Sequence, residues 1–589
     1  MEYRWNLDAL YLGFDDPAYE ADLQTLQNLV DQMKTLASKL TEGEPQENLR
    51  QGILLEEKIF VLYNRLNNFP RLCRAANTKD SRPDSVLGKV IGVYSQFASP
   101  QAAFRSWLCG LSNLMELVQE DELLRQYTYF FDKLLKESCH QLPGREEEMM
   151  ARMQQSGGSA WSRLYGLTTS TVKIPWQGKT LSLSAIRTLA RDPDPQVRKA
   201  ALEAELKACE SIRDTVAHCL NAVKLETLTE CDLRGYDSPL SASLAKCKLS
   251  KETLDAMWEA IGEYLPKFWE YLKAKAKLLG HQGGLPWYDL YAPVGDSSRK
   301  YSVEDARQYL VEVFTRFDPQ VGALMDRAFR EQWIDVYPRD GKGDGAFCTS
   351  THAIDQSRIL TNFGEDFAGV RTFAHELGHA FHYQCIKTHR PLNKAYGMCL
   401  AETASTFNEN VLMGAAIENA KTDAEKLALL DTALSGATMS ICDIYSRFLF
   451  EGRVLENRRE RFMDAKVLAD FMMDAQKVAY GDGLDERCLH PYMWICKSHY
   501  YGATIFYNYP YAFGELLSRG LYARYREEGS GFIPKYKELL HATTVASAEG
   551  AAKVAGIDLT DKQFWRGALQ TISDAIDQFC MLVKETQYE

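Results

Sequence analysis

Residues 372–380 read Thr-Phe-Ala-His-Glu-Leu-Gly-His-Ala. Within them, His375, Glu376 and His379 form the His-Glu-x-x-His pattern of zinc peptidases. On a helix, His375 and His379 lie one turn apart on the same face, so both imidazoles can meet one Zn²⁺. Glu376 sits beside them, where its carboxylate can take a proton from a water that attacks a peptide carbonyl. The flanking residues Phe373, Ala374, Leu377, Ala380 and Phe381 are apolar, which predicts a buried helix. Two histidines and a glutamate buried without a ligand would leave costly unpaired polar groups. The pattern therefore points to a metal.

A catalytic zinc takes three protein ligands and keeps one position open. One class of zinc peptidase finds its third ligand in a histidine farther along the same motif, after a glycine. That class needs glycine at position 382 and histidine at 385, and the chain has His382 and Cys385. A carboxylate on a following helix is the alternative. Glu402 is the expected third ligand of a single Zn²⁺ per chain. Glu409, two helical turns on, competes for that place and is better sited to accept a hydrogen bond from a ligand imidazole. His382 shares the helical face of His375 and His379 and is expected to pack or hydrogen-bond beside them. His389 reads as a solvated loop residue. Structural zinc sites are closed and rich in cysteine, whereas the 14 cysteines here include no Cys-x-x-Cys pair.

The elements that must hold these residues are mainly helices. Asp16-Pro17 is a cap followed by proline at the first helical position, and Leu26, Val30, Met33, Leu36 and Leu40 then recur at helical spacing. Ser250 caps a helix through Met257, Ile261 and Leu265, and Thr422-x-x-Glu425 is a capping box before another long run. Strand signals are few. Residues 172–181 predict a short hairpin or an extended connector. Residues 345–350 and 358–362 predict short strands ahead of the metal helix, whose edge would suit pairing with an extended peptide. Gly345, Ala346, Phe347 and His352 are accordingly candidate substrate-binding residues. The expected fold class is predominantly α, with a small β-sheet beside the active-site helix. The Asp192-Pro193-Asp194-Pro195 turn is the expected boundary between an N-terminal helical region, 1–195, and a catalytic region, 196–589.

Composition limits the partners. The 589 residues are 46% hydrophobic and carry a net charge of −12, enough for a large core. An acidic chain repels phosphate backbones and anionic lipid heads, so no nucleic acid and no membrane is expected as a partner. No stretch reads as a membrane span. The first residues lack a secretory signal pattern, and scattered cysteines read as reduced thiols. Both point to the cytoplasm. Oligomeric state is not legible.

The motif helix, followed by Ala401-Glu402-Thr403-Ala404-Ser405-Thr406-x-x-Glu409, resembles the oligoendopeptidase F branch of the thimet-oligopeptidase-like metallopeptidases. So do Trp5-Asn6-Leu7-Asp8-Ala9-Leu10-Tyr11, Ser159-Ala160-Trp161-Ser162-Arg163-Leu164-Tyr165 and Arg234-Gly235-Tyr236-Asp237-Ser238. The branch usually carries Gly-Lys-x-x-Gly-Ala-Tyr before the metal helix. Here Gly341-Lys342-Gly343-Asp344-Gly345-Ala346-Phe347 ends in phenylalanine and lacks that hydroxyl. The resemblance implies a two-lobed helical zincin-type fold with a deep substrate channel, and endopeptidase action on short peptides. It also implies donors for the tetrahedral oxyanion in the run 499–514, where relatives carry a histidine followed by clustered tyrosines. His499 and Tyr511 match that pattern best, and Tyr507 matches it less closely. Thr504 and Asn508 stand where some relatives have tyrosine. A helical zinc carboxypeptidase shares the catalytic pattern and is the nearest alternative. A non-catalytic peptide-binding protein would have no need of Glu376.

Overall fold

The computed structural model describes residues 3–295 and 299–585. The chain forms two compact units, each assembled from separated stretches. The first comprises Met1–Cys139, Ser298–Leu412 and Tyr525–Ile557; the second comprises His140–Ser297, Met413–Arg524 and Asp558–Glu589. The division expected at 195 is not the one drawn. Asp194 accepts a hydrogen bond from the Gln196 amide and Pro195 opens a 39-residue helix, Pro195–Leu233, inside the second unit. The same Asp-Pro chemistry that reads as a break is here an N-cap and a first helical position.

Helices dominate both units. In the first, Pro17–Ala37 begins at its Asp16 cap and buries Leu26, Val30 and Met33 against Pro45–Ala76. In the second, Lys251–Leu278 starts at its Ser250 cap and packs along the C-terminal helix Lys562–Glu585. The capping box before Asp423 also forms, with Thr422 accepting from the Glu425 amide. The helical stretch Asp423–Arg458 has the length and apolar composition of a membrane span, a feature the sequence reading did not single out. Of its most apolar window 61% is buried inside the protein. It also carries Asp431 and Glu451, ion-paired to Lys275 and Lys224, as a core helix would.

Among the described residues, five short strands complete the secondary structure. β1 (Ile174–Trp176) and β2 (Lys179–Leu181) form the expected antiparallel hairpin. Its turn residues Gln177 and Gly178 have φ of 46° and 78°, as the tight turns that suit strand twist require. β3 (Ile334–Asp335), β4 (Phe347–Thr351) and β5 (Gln356–Leu360) form a three-stranded sheet in the order β3-β5-β4. β4 pairs antiparallel with β5, Phe347 opposite Leu360, and lies along the helix that carries the His-Glu-x-x-His motif. The strands sit slightly off the expected ranges. Gly345, at φ 78°, and Ala346 precede β4 rather than belong to it. Asn362 lies beyond β5, its amide donating to the carbonyls of Gly343 and Gly345.

Two of the resembling segments, Trp5–Tyr11 and Gly341–Phe347, border this sheet. The Trp5 and Phe347 rings pack at 6.2 Å, and Arg358 donates to the Asn6 carbonyl at 2.8 Å. Lys342 is buried, pairs with Asp335 at 2.7 Å and donates to the backbone carbonyls of Asp335, Tyr337 and Thr361. It ties β3 to β5 and is no substrate group.

Candidate active site

The motif lies on the helix Phe367–Ile386, whose N-terminus is capped by Asp366 accepting from the Gly369 amide at 2.9 Å. Val370, Phe373, Ala374, Leu377 and Ala380 are fully buried, so the expected apolar flanks do anchor the helix. The imidazoles of His375 and His379 stand 5.0 Å apart, nearly perpendicular. Opposite them is the helix Thr403–Glu418, and Gly378 explains how it comes so close. A Cβ at Gly378 would fall 2.6 Å from the Ala404 carbonyl oxygen and 2.6 Å from Ser405 Cα. Only glycine admits that approach.

The approach brings Glu402 onto both histidines. Its Oε2 lies 3.3 Å from His375 Nε2 and 3.4 Å from His379 Nε2. Ligands around a tetrahedral zinc with bonds of ~2.0–2.1 Å stand about 3.3 Å apart, so the Glu402 oxygen has that spacing from each imidazole nitrogen. Ser405 donates to the same Glu402 oxygen at 2.7 Å and fixes its rotamer. Glu409 does something else. Its Oε1 lies 2.6 Å from His375 Nδ1, and its Oε2 lies 3.3 Å from Arg371 Nε. It accepts a hydrogen bond from Nδ1–H, which holds the proton there and leaves Nε2 as the nitrogen able to bind a metal. Asn408, fully buried, donates to the Ala374 carbonyl and locks the two helices together.

Electrostatics follow from burial and neighbours. Burial draws His375 down, but its hydrogen bond to Glu409 and the charges of Glu409, Glu376 and Glu402 outweigh it and raise its pKa. At His379 burial outweighs the opposing charge of Glu402 and lowers the pKa to about 4. Glu376 is 5% exposed and is pushed up to about 7 by burial, with Glu402 and Glu409 adding to the rise and His375 opposing it. A dication held by the neighbouring ligands would draw Glu376 back down.

The other expected residues are placed less uniformly. His382 is fully buried, bonds to Thr543 Oγ1 at 2.8 Å and stacks on Tyr396, the packing role anticipated. His389 is half-buried rather than solvated, with its Nε2 3.1 Å from His541 Nδ1. His352 lies in the turn after β4, stacks on Phe60 and sits 3.4 Å from the Tyr383 hydroxyl. In the second unit, His499 stacks near Tyr507 at 5.9 Å, and the Tyr507 and Tyr511 hydroxyls are 2.7 Å apart. The segment carrying His499 is held from behind by Tyr165 of the Ser159–Tyr165 stretch. Its hydroxyl donates to the Ile495 carbonyl, and its ring stacks on Tyr501 at 3.7 Å.

Sequence reasoning missed four supports: Gly378, Ser405, Arg447 and Asn508. Arg447 donates to Asn508 Oδ1 at 3.1 Å, which orients the amide so that Nδ2 donates to His499 Nε2 at 2.6 Å. His499 is therefore a neutral imidazole with its proton on Nδ1. Burial and the nearby Arg447, Lys224 and Lys497 charges hold its pKa down to about 3. Asn508 was visible only as a departure from the tyrosine pattern of relatives.

This arrangement of two imidazoles, one carboxylate and one adjacent glutamate coincides with what comparison of the chain finds. Residues 188–571 match the model of peptidase family M3, and residues 111–173 match oligopeptidase F. The chain belongs to peptidase family M3. It is 23% identical to oligopeptidase PepF of Bacillus subtilis over 98% of this chain and 87% of that one. It is 24% identical to an oligoendopeptidase F homolog of Lactococcus lactis over 99% and 97%. The solved structure of oligoendopeptidase F from Enterococcus faecium superimposes with a TM-score of 0.70 at 18% identity, covering 96% and 99% of the two chains. The predominantly helical fold is that of the family, and membership makes the chain a metallopeptidase acting on oligopeptides.

Proposed function

We propose that the protein is a zinc endopeptidase of short peptides, with His375, His379 and Glu402 as metal ligands and Glu376 as general base. The observation that carries this reading is the single oxygen of Glu402 within 3.4 Å of both imidazole Nε2 atoms. When bound, zinc supplies a Lewis acid that polarises the scissile carbonyl and acidifies water. Glu376 takes the proton of the attacking water and hands it to the leaving amine. Glu409 keeps His375 in the tautomer that exposes Nε2. His499, through its Nδ1–H, and the hydroxyls of Tyr511 and Tyr507 are the donors we assign to the developing oxyanion. The family pattern and the fixed tautomer of His499 support that assignment.

Substrate backbone is assigned to the edge of β4, entered at Gly345 and Ala346, by strand addition. The Ser350 carbonyl already accepts from Asn68 at 3.2 Å, so the available edge ends there. Phe347 and His352 flank it and are engaged by Trp5 and Phe60. A reducing compartment, the cytoplasm, suits fourteen cysteines that are all free thiols.

The test is Glu376→Gln assayed by mass spectrometry on peptides of increasing length, with and without blocked ends. We expect unchanged metal content and a loss of about 10³-fold or more in kcat, with blocked peptides cut by the wild type. Wild-type turnover in the variant would remove Glu376 as the base. Failure to cut end-blocked peptides would favour a carboxypeptidase.

A further inference from the structure

A second cluster of metal-ligating side chains lies in the second unit, apart from the His-Glu-x-x-His site. Glu205 and Cys209 are one turn apart on the buried face of the helix Pro195–Leu233. His490 and Cys496 come from the irregular segment that follows Glu486–Cys488. One ligand atom each of Glu205, His490 and Cys496 lies within 4.8 Å of the other two. Glu205 Oε1 is 3.2 Å from His490 Nε2 and 3.4 Å from Cys496 Sγ. These distances are close to the 3.3 and 3.4 Å found around Glu402. Cys209 Sγ is 3.8 Å from Cys496 Sγ. Two thiolates on a tetrahedral zinc with Zn–S bonds of ~2.3 Å stand ~3.8 Å apart.

We propose that Glu205, His490, Cys496 and Cys209 form a second, structural site for a zinc-class divalent cation. Cys209 stands against Cys496 and is the fourth ligand we assign. Two sulfurs, an imidazole and a carboxylate are a donor set that selects zinc over calcium or magnesium. His490 and Cys209 are fully buried, Glu205 is nearly so, and Cys496 is half-buried. The cluster is thus more enclosed than His375, His379 and Glu402, all three half-buried, as suits a structural site.

Arg187 sets the charge. Its Nε lies 2.9 Å from Glu205 Oε1, and its guanidinium donates to the Cys496 carbonyl at 3.3 Å. A dication and a guanidinium cancel two thiolates and a carboxylate, so the loaded cluster is neutral in an interior where net charge is costly. The cluster is also held in place before any metal enters. Gln476 bonds both the amide and the carbonyl of His490, at 3.1 and 2.9 Å. The cation would staple the 489–497 segment to the long helix, and His499 follows that segment directly.

Cobalt substitution tests this, because the His375–His379–Glu402 site contains no sulfur. The zinc-stripped full chain is loaded with Co²⁺ and its near-ultraviolet thiolate-to-cobalt absorption recorded, with metal content measured in parallel. The expected result is a sulfur charge-transfer band in the wild type that persists in His379→Ala and disappears in Cys496→Ser, with one metal equivalent per chain lost in the latter. Cys209→Ser, which removes only the fourth donor, should shift or weaken the band, and it serves if Cys496→Ser does not fold. A cobalt-loaded wild type with no sulfur band would overturn the proposal. So would a disulfide between Cys209 and Cys496, read as two missing thiols in the denatured chain. Loss of the band in His379→Ala would likewise overturn it. The zinc peptidase reading stands or falls separately, on activity and on the metal lost from His379→Ala.

Discussion

Glu409 shows how one carboxylate can both help and hinder metal binding. Its contact with His375 Nδ1 strengthens the imidazole as a ligand and also raises the pKa at which that ring takes up a proton. A ligand must be neutral to bind, so metal affinity falls as pH drops through the raised His375 value. Glu409→Gln weakens the partner's charge and lowers that value. We expect about 10- to 100-fold weaker zinc binding at neutral pH and above, with the acidic decline displaced to lower pH. Competition titrations with a zinc chelator across pH measure both effects. An unshifted decline would mean that Glu409 does not govern His375. Asn508 makes a parallel case at His499. Asn508→Ala frees Nε2 and lets the ring change tautomer, so kcat should fall by about tenfold or more with KM changed less. Equal kinetics would show that the tautomer does not matter to turnover.

The proposed metal triplet depends on two helices being nearer than ordinary side chains allow. At Gly378 an added methyl meets backbone atoms, the Ala404 carbonyl and Ser405 Cα, which cannot rotate away. Gly378→Ala should therefore push Thr403–Glu418 off the motif helix, costing about 1–3 kcal/mol in stability and drawing Glu402 away from both imidazoles. Metal content after dialysis against buffered zinc, together with a thermal melt, checks this; wild-type metal retention would place the helices' contact elsewhere. The motif itself was legible because four-residue spacing on a helix is local geometry, and so were the caps at Asp16, Ser250 and Thr422. Glu402 could be anticipated from the need for a third ligand. What separates it from Glu409 is the crossing at Gly378, a long-range contact that no local pattern encodes. β4 and β5 were legible as strands, but their ends were not, because Gly345 and Asn362 belong to the turn chemistry around the sheet.

At the scale of the whole chain, each unit is built from three separated stretches. A reading that moves along the sequence looks for one break and finds Asp192–Pro195, because caps and linkers share the same residues. That assembly has a thermodynamic consequence. The proposed metal ligands lie on the motif helix and just before Thr403–Glu418, so a bound cation ties those stretches together within the first unit. A ligand that binds only the folded form adds about 4 kcal/mol when its free concentration is a thousandfold above its dissociation constant. Chelation should remove that increment first from the elements the ligands join. We expect hydrogen exchange to accelerate in Phe367–Ile386 and in residues 398–412 when zinc is stripped. The paired helices Lys251–Leu278 and Lys562–Glu585 of the second unit, packed on each other and far from any proposed ligand in sequence, should exchange as before. Uniform acceleration through both units, in a Cys496→Ser chain that lacks the second proposed cation, would mean that the metal of the first unit supports the whole chain cooperatively. No change in Phe367–Ile386 would mean that the helix holds its geometry without the cation, and the ligand cage would then be preorganised by Gly378, Ser405 and Asn408 alone.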